Sequence, residues 1–273
     1  MIPASFEYVR VESVPEAISA LAEHGEDAKL LAGGHSLLPL MKLRLASPSV
    51  LIDVGRIQEL SYIRDAGDHV AVGALTRHRD VQRSALLQAE VPLAAHVAGL
   101  VGDPQVRHRG TIGGSLAHSD PASDLPAAVL ALGGTLVARG PSGEREIASS
   151  DFHLGFLESA LASDEMLVEI RVPKSAGGRF SFQKFNRRAQ DWAIVGAIAV
   201  RNGSTAVSLI NMGTVPLRAA AVEAAVAGGA SASEASTQAA EGTEPTSDLN
   251  ASAEFRRHLA TVLVRRALEE VGA

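Results

Sequence analysis

The sequence predicts an α+β fold, and three observations carry that prediction. Residues 1–55 read strand, helix, strand, glycine turn, helix or loop, strand, which is a small α/β unit. From about residue 56 the texture changes to strand-like runs with helical stretches set between them. The chain then closes on an amphipathic helix that follows a second group of alternating segments.

Taken in order, Ser5–Arg10 alternates and predicts a short strand. Ser13 and Glu16 have capping-box spacing with Pro15 in the first turn; Val14, Ala17, Ile18 and Leu21 keep helical spacing, and Gly25 closes the helix. Lys29–Ala32 is an apolar strand running into a glycine turn, and Val50–Val54 is a second buried strand. Leu60–Ile63, His69–Val72 and Gly133–Arg139 read as strands, Thr76–Ser84 and Pro92–Leu100 as helices. Glu165–Val172 alternates and stops at Pro173, as a strand does. Phe180–Phe185 alternates again, Trp192–Val200 is apolar and rich in small residues, and Ala206–Met212 is a strand ending at Gly213. Ala219–Ala227 suits a helix, whereas Gly228-Gly229 and the polar tract to about residue 247 predict a mobile surface loop. Ala253–Val271 places Phe255, Leu259, Val262, Leu263 and Leu268 on one apolar face. Arg256, Arg257, Arg265 and Arg266 form a solvated or subunit-facing stripe beside it.

Composition narrows the function classes. At 273 residues and 46% hydrophobic content the chain can fill two or three cores and is not a disordered sequence. Its net charge of −6 offers no basic surplus for nucleic acid. With no cysteine there is no disulfide, no thiolate nucleophile and no cysteine-ligated zinc or iron–sulfur cluster. No secretory signal and no membrane-length apolar run is visible, so the expected location is cytoplasmic.

The informative feature is a pair of glycine-rich stretches, Ala32-Gly33-Gly34-His35-Ser36 and Thr111-Ile112-Gly113-Gly114-Ser115. Each sets two adjacent glycines beside a small hydroxyl residue. Glycine allows positive φ and close approach of backbone to a ligand, and successive N–H groups in such a turn form an anion cradle. An ordinary strand-ending turn fits either stretch taken alone. The dinucleotide pattern G-x-G-x-x-G is absent, and no Gly-Lys-Ser/Thr follows, so Rossmann and P-loop routes are poorly supported. The second stretch runs into Asp120-Pro121-Ala122-Ser123-Asp124-Leu125-Pro126. Carboxylates suit ribose hydroxyls better than bare phosphate. The glycines, Thr111 and Ser115 are therefore assigned to a diphosphate and Asp124 to the ribose side, while Asp120 before proline reads first as a turn residue. His35 reads as a positioning residue rather than an acid or base.

On these residues the chain resembles the FAD-binding (medium) subunits of the molybdenum hydroxylases, the family of carbon monoxide dehydrogenase, xanthine dehydrogenase and their aldehyde and heteroaromatic relatives. The likeness extends through Gln105–Ser115, Phe182–Ala193 and, more softly, Ser247-Asp248 with Ala253–Arg257, so it covers nearly the whole chain. It implies a two-subdomain FAD-binding domain of the vanillyl-alcohol-oxidase (PCMH) type over residues 1–175, divided near residue 55. A small C-terminal α+β domain with a three-stranded antiparallel sheet would follow over 176–273. It also implies that Lys29, Leu31, Ala32, Gly33, Gly34, His35, Ser36 and Leu37 wrap the FAD diphosphate, and that Thr111, Gly113, Gly114 and Ser115 face it. Asp124 would hold the ribose, Leu167 would give an apolar contact, and Lys184 would approach the flavin carbonyl region. Trp192 falls where relatives often place a tyrosine beside the flavin, which keeps the flat π surface and removes the phenol hydroxyl; Ser115 replaces a common asparagine. For Lys184 a solvated strand lysine, and for Trp192 a packed core residue, fit the sequence as well. The implied role is electron relay from a large molybdopterin subunit, through [2Fe–2S] clusters of a small subunit, to FAD and an external acceptor, in a dimer of heterotrimers. A stand-alone FAD-dependent oxidoreductase and a non-enzymatic nucleotide-binding module are the alternatives.

Overall fold

The computed structural model describes residues 2–273; Met1, the first residue of the expected N-terminal unit, lies outside them. The chain begins with β1 (Glu7–Arg10), α1 (Val14–His24), β2 (Ala28–Leu31), α2 (Leu37–Lys42) and β3 (Val50–Asp53). The three strands form a parallel sheet in the order β1-β3-β2. α1 starts where Ser13 Oγ accepts from the Glu16 N–H and ends at Gly25 with φ 55°. It buries Val14, Ala17, Ile18, Ala20 and Leu21 against the sheet core. β2 is an edge strand, and its end runs into the first glycine turn.

The middle of the chain comprises β4 (Ile63–Asp65), β5 (His69–Gly73), α3 (His78–Arg83), α4 (Ala85–Glu90), α5 (Pro92–Leu100), α6 (Pro104–Arg109), α7 (Ile112–His118) and α8 (Asp124–Ala131). These lead to β6 (Thr135–Gly140), β7 (Gly143–Ala148), α9 (Ser149–Phe152), the small hairpin β8 (His153–Gly155) and β9 (Glu158–Ser159), and β10 (Met166–Pro173). The sheet order is β4-β5-β10-β6-β7, antiparallel throughout. The expected helix over Thr76–Ser84 begins two residues late because Thr76 instead uses its carbonyl to accept from the Ile112 N–H. Leu60 falls in a helical turn, not in the expected Leu60–Ile63 strand. α6, α7 and α8 lie in the stretch read only as glycine turn and acidic tail. Every residue of α8 is buried, and it packs on both the α5 layer and the C-terminal sheet, as a helix apolar all round does.

The last part holds β11 (Arg179–Phe185), β12 (Val195–Asn202), β13 (Ser204–Ile210), β14 (Leu217–Arg218), α10 (Ala220–Ala227), α11 (Ala232–Ser236) and α12 (Ala253–Val271). Its sheet is antiparallel in the order β11-β12-β13-β14. The two-residue β14 makes it four-stranded where three strands were expected. Two further expectations are corrected here. The tract 228–247 is not a mobile loop. A capping box between Ser231 and Glu234 starts α11, and Ala232, Ala235 and Ala239 are buried in the C-terminal core. Arg256 is not in a solvated stripe: its side chain is 1% exposed, while Phe255 of the supposed apolar face is 42% exposed. No helix among the described residues is long and apolar enough to cross a membrane.

Candidate functional site

A cavity of about 610 Å³ lies where the three parts of the chain meet, within the range typical of small-molecule sites. Every residue singled out from the sequence as a cofactor contact, from Lys29 to Trp192, lines it. The first glycine turn leaves β2 on one side, and the second opens α7 opposite. Asp124 stands in the first turn of α8, Leu167 is on β10, Lys184 on β11 and Trp192 on the loop between β11 and β12.

The two turns touch. A Cβ added at Gly33 would lie 2.5 Å from the Arg109 carbonyl oxygen and 2.9 Å from Gly110 Cα. Any side chain there would wedge the turns apart. Gly34 has φ +78°, a backbone state that glycine adopts at little cost. The second turn is moored by the segment after β5: Ile112 N–H donates to Thr76 O at 3.0 Å, Gly113 N–H to Ala74 O at 2.9 Å and His78 N–H to Gly110 O at 3.0 Å. Gly113 is required by that packing, since its added Cβ would sit 2.5 Å from Ala74 Cβ. Gly114 is different. Its added Cβ would meet Thr111 Oγ1 at 2.7 Å and then nothing nearer than Ala32 at 3.9 Å, so this face is open to the cavity.

The turns also differ in what they offer an anion. Thr111 caps α7 by accepting from Gly114 N–H at 3.1 Å, and the Ser115 N–H is spent on Thr111 O at 3.0 Å. The second turn thus brings shape and hydroxyl groups, its amides being internally paired. In the first turn, among the described residues, no backbone or side-chain acceptor meets the N–H groups of Gly33, Gly34, His35, Ser36 or Leu37. Ser36 makes no capping bond with its hydroxyl either. A run of unpaired amides is uncommon in folded chains, and here it lines a cavity.

Across from the turns, Lys184 Nζ pairs with Asp124 Oδ2 at 2.7 Å, with side chains 10% and 5% exposed. Burial pushes the Asp124 carboxyl up from the usual carboxylate range, and the Lys184 charge and hydrogen bond oppose that rise. Asp124 Oδ1 is buried with no hydrogen-bond partner. An orphaned acceptor of this kind calls for a donor, which a ligand hydroxyl supplies. No local pattern predicts that these two side chains meet, because they lie 60 positions apart in the chain. Trp192 is 52% exposed, so it is a wall of the cavity mouth and not a core residue. Asp120 proves to be a turn residue, with Oδ1 accepting from Ala122 N–H at 2.8 Å.

Sequence reasoning missed three parts of the wall. His78 lies behind the second turn; burial pushes its pKa down to about 4, with smaller contributions from His35, Arg77 and Arg107, so it is neutral at pH 7. Leu157, in left-handed conformation with φ 58°, and Glu158 come from the β8–β9 hairpin. That hairpin is fixed by Ser119, which accepts the Leu157 N–H at 3.2 Å through its carbonyl and engages His153 Nδ1 at 2.8 Å through its hydroxyl. No local pattern marks such residues. The open amides, the orphaned carboxylate oxygen, the glycine cradle and the exposed aromatic fit a long ligand bearing a diphosphate, hydroxyl groups and a flat ring.

Comparison with known proteins agrees with that chemistry. Residues 4–175 match the family described as FAD binding domain in molybdopterin dehydrogenase. Residues 180–271 match the CO dehydrogenase flavoprotein C-terminal domain. The carbon monoxide dehydrogenase medium chain of Hydrogenophaga pseudoflava is 42% identical over 284 residues, spanning 100% of this chain and 99% of that one. The glyceraldehyde dehydrogenase medium chain of Sulfolobus acidocaldarius is 36% identical over 285 residues, spanning 99% and 100%. A solved structure of carbon monoxide dehydrogenase from Hydrogenophaga pseudoflava superposes with a TM-score of 0.96 at 43% identity, covering 100% of this chain and 99% of that one.

Proposed function

We propose that this chain, which belongs to the FAD-binding flavoprotein family of the molybdopterin dehydrogenases, relays electrons from the [2Fe–2S] clusters of a small subunit to an external acceptor. It is a subunit of a molybdopterin-dependent oxidoreductase, and its cofactor is FAD. The reading includes a large molybdopterin-bearing partner, assembly as a dimer of heterotrimers, and a cytoplasmic location. It also divides the chain at about residue 175, with a further division near 55, in keeping with the family matches over 4–175 and 180–271.

FAD supplies the redox chemistry when bound; the protein supplies binding, orientation and electrostatics. In the proposed arrangement the amides of Gly33–Leu37 donate to the diphosphate, with the Ser36, Thr111 and Ser115 hydroxyls beside them. Lys29, Leu31 and Ala32 bring their main chain to the same segment. Gly114 leaves room for close approach. Asp124 Oδ1 accepts from a ribose hydroxyl, Lys184 presents its remaining N–H groups to the flavin end, Leu167 gives an apolar contact, and Trp192 lies against the flavin ring. None of this requires an acid or base, which suits a relay. With no cysteine, the chain holds no cysteine-ligated cluster of its own, so the clusters that feed this relay belong to another subunit in the proposed reading.

The observation that supports the reading most is the run of unpaired amides at Gly33–Leu37 facing the glycine-lined gap. The test is co-expression with genes for a large molybdopterin-binding and a small [2Fe–2S] subunit of this family and purification on a tag carried by this chain. Flavin absorption bands, with molybdenum and iron in the same fraction, are expected. A colourless protein that takes up no added FAD would refute the cofactor assignment, and a yellow protein that reduces its flavin alone with a small organic substrate would refute the relay.

A further inference from the structure

Two walls of the cavity, far apart in sequence, hang from one residue outside it, one from its backbone N–H and the other from its side chain. Asn211 directly follows β13 and is left-handed, with φ 61°, a state that asparagine tolerates better than most residues. Its N–H donates to Pro121 O at 2.8 Å, and its Nδ2 donates to Ala193 O at 2.8 Å and Ile194 O at 3.2 Å. Pro121 opens the turn that leads to Asp124. Ala193 and Ile194 close the loop that bears Trp192, whose base is sealed by Ile194 N–H donating to Phe185 O at 2.8 Å.

From the other side, buried Arg256 of α12 donates to the same Ile194 carbonyl through Nη1. Its Nη2 donates to Asp248 Oδ2 at 2.8 Å. The other oxygen of Asp248 accepts from Asn250 N–H at 2.8 Å and Ala251 N–H at 3.0 Å. A buried guanidinium is expensive to desolvate, and an apolar side chain would fill the same space. Its retention here goes with a specific task, holding one carbonyl. Neither Asn211 nor Arg256 lines the cavity.

We propose that Asn211 and Arg256 are positioning residues: together they fix the Ala193 and Ile194 carbonyls and so set where Trp192 stands relative to Asp124 and Lys184. This also gives a physical role to the C-terminal Ser-Asp and Phe-Arg-Arg segments, which make no contact with the cavity. Its consequence for FAD affinity rests on the reading that this cavity holds FAD; its consequence for Trp192 does not.

Trp192 is the only tryptophan of the chain, so its emission reads the loop directly. Asn211→Asp keeps the shape and the tolerance of left-handed backbone but faces two carbonyls with an acceptor-only group. Arg256→Lys keeps a charge beside Asp248 and loses the two-pronged donor. In the full chain without FAD, both variants are expected to lower the anisotropy of Trp192 and raise its quenching by acrylamide, at temperatures well below their unfolding midpoints. With FAD, the dissociation constant is expected to rise about tenfold, the effect of losing one or two hydrogen bonds. If Asn211→Asp fails to fold, Asn211→Gly, which relaxes the backbone and deletes only the amide, carries the same test. A folded variant with wild-type anisotropy and quenching overturns the role of its residue, whatever its FAD affinity. Loosened Trp192 in the variants of a chain whose wild type binds no FAD supports the positioning role and refutes the FAD reading instead.

Discussion

Gly114 and Asp124 carry the most specific demands on the ligand, and both can be tested singly. The Cβ of a residue at 114 meets the capping hydroxyl of Thr111 and then projects into the gap between the turns. Gly114→Val is therefore expected to abolish FAD retention on gel filtration, while Gly114→Ala weakens it; a valine variant that stays yellow would remove the diphosphate from this place. Asp124→Asn strands the Lys184 ammonium at a site only 10% exposed, and breaking a buried pair from one side costs about 3–5 kcal/mol. A double change, Asp124→Asn with Lys184→Met, removes the stranded charge and is expected to recover most of that stability in urea denaturation. FAD affinity is not expected to recover, because the charged acceptor has become a neutral amide and the ammonium is gone. Recovery of affinity along with stability would make the pair a purely structural feature.

At the scale of elements, the legibility of the sequence follows how local each signal is. α1 was readable because its cap, its apolar spacing and its terminal glycine all lie within a dozen residues, and β10 because alternation stops at Pro173. The glycine turns were readable as an anion cradle, yet only half of that reading describes backbone donors. The amides of the second turn are consumed by Thr76, Ala74 and Thr111, and those partners are either distant in sequence or depend on the helix that the turn begins. α7 and α8 went unread because Gly-Gly and Pro126 look like breakers, while in α8 burial on all sides makes propensity a minor term. The polar tract to residue 247 looked mobile because its alanines are too small to show periodicity, although Ala235 and Ala239 are fully buried. Replacing Ala235 by Glu puts an unpaired charge into that core and is expected to lower the midpoint of thermal unfolding by many degrees. An unchanged midpoint would restore the view of this tract as a loop.

For the molecule as a whole, two buried histidines tie stability to pH. Burial holds both His78 and His153 down at about 4, below the ordinary value of about 6.5. Between those values the unfolded chain binds protons that the folded chain refuses, so unfolding becomes easier as pH falls from about 6.5 toward 4, by up to about 1.4 kcal/mol per pH unit for each histidine. Urea midpoints measured across that range should fall with acid, and His153→Gln should flatten the slope; a slope unchanged by that substitution would mean His153 ionises freely in the fold. The same assembly of three parts places the chain's single tryptophan on the wall of the cavity where they meet, which makes the central claim directly measurable. Titrating the FAD-free chain with FAD while recording Trp192 emission should give saturable quenching that ends at one FAD per chain, as expected for an indole beside a flavin ring. FAD bound in that ratio with Trp192 emission unchanged would place the cofactor elsewhere and contradict the account.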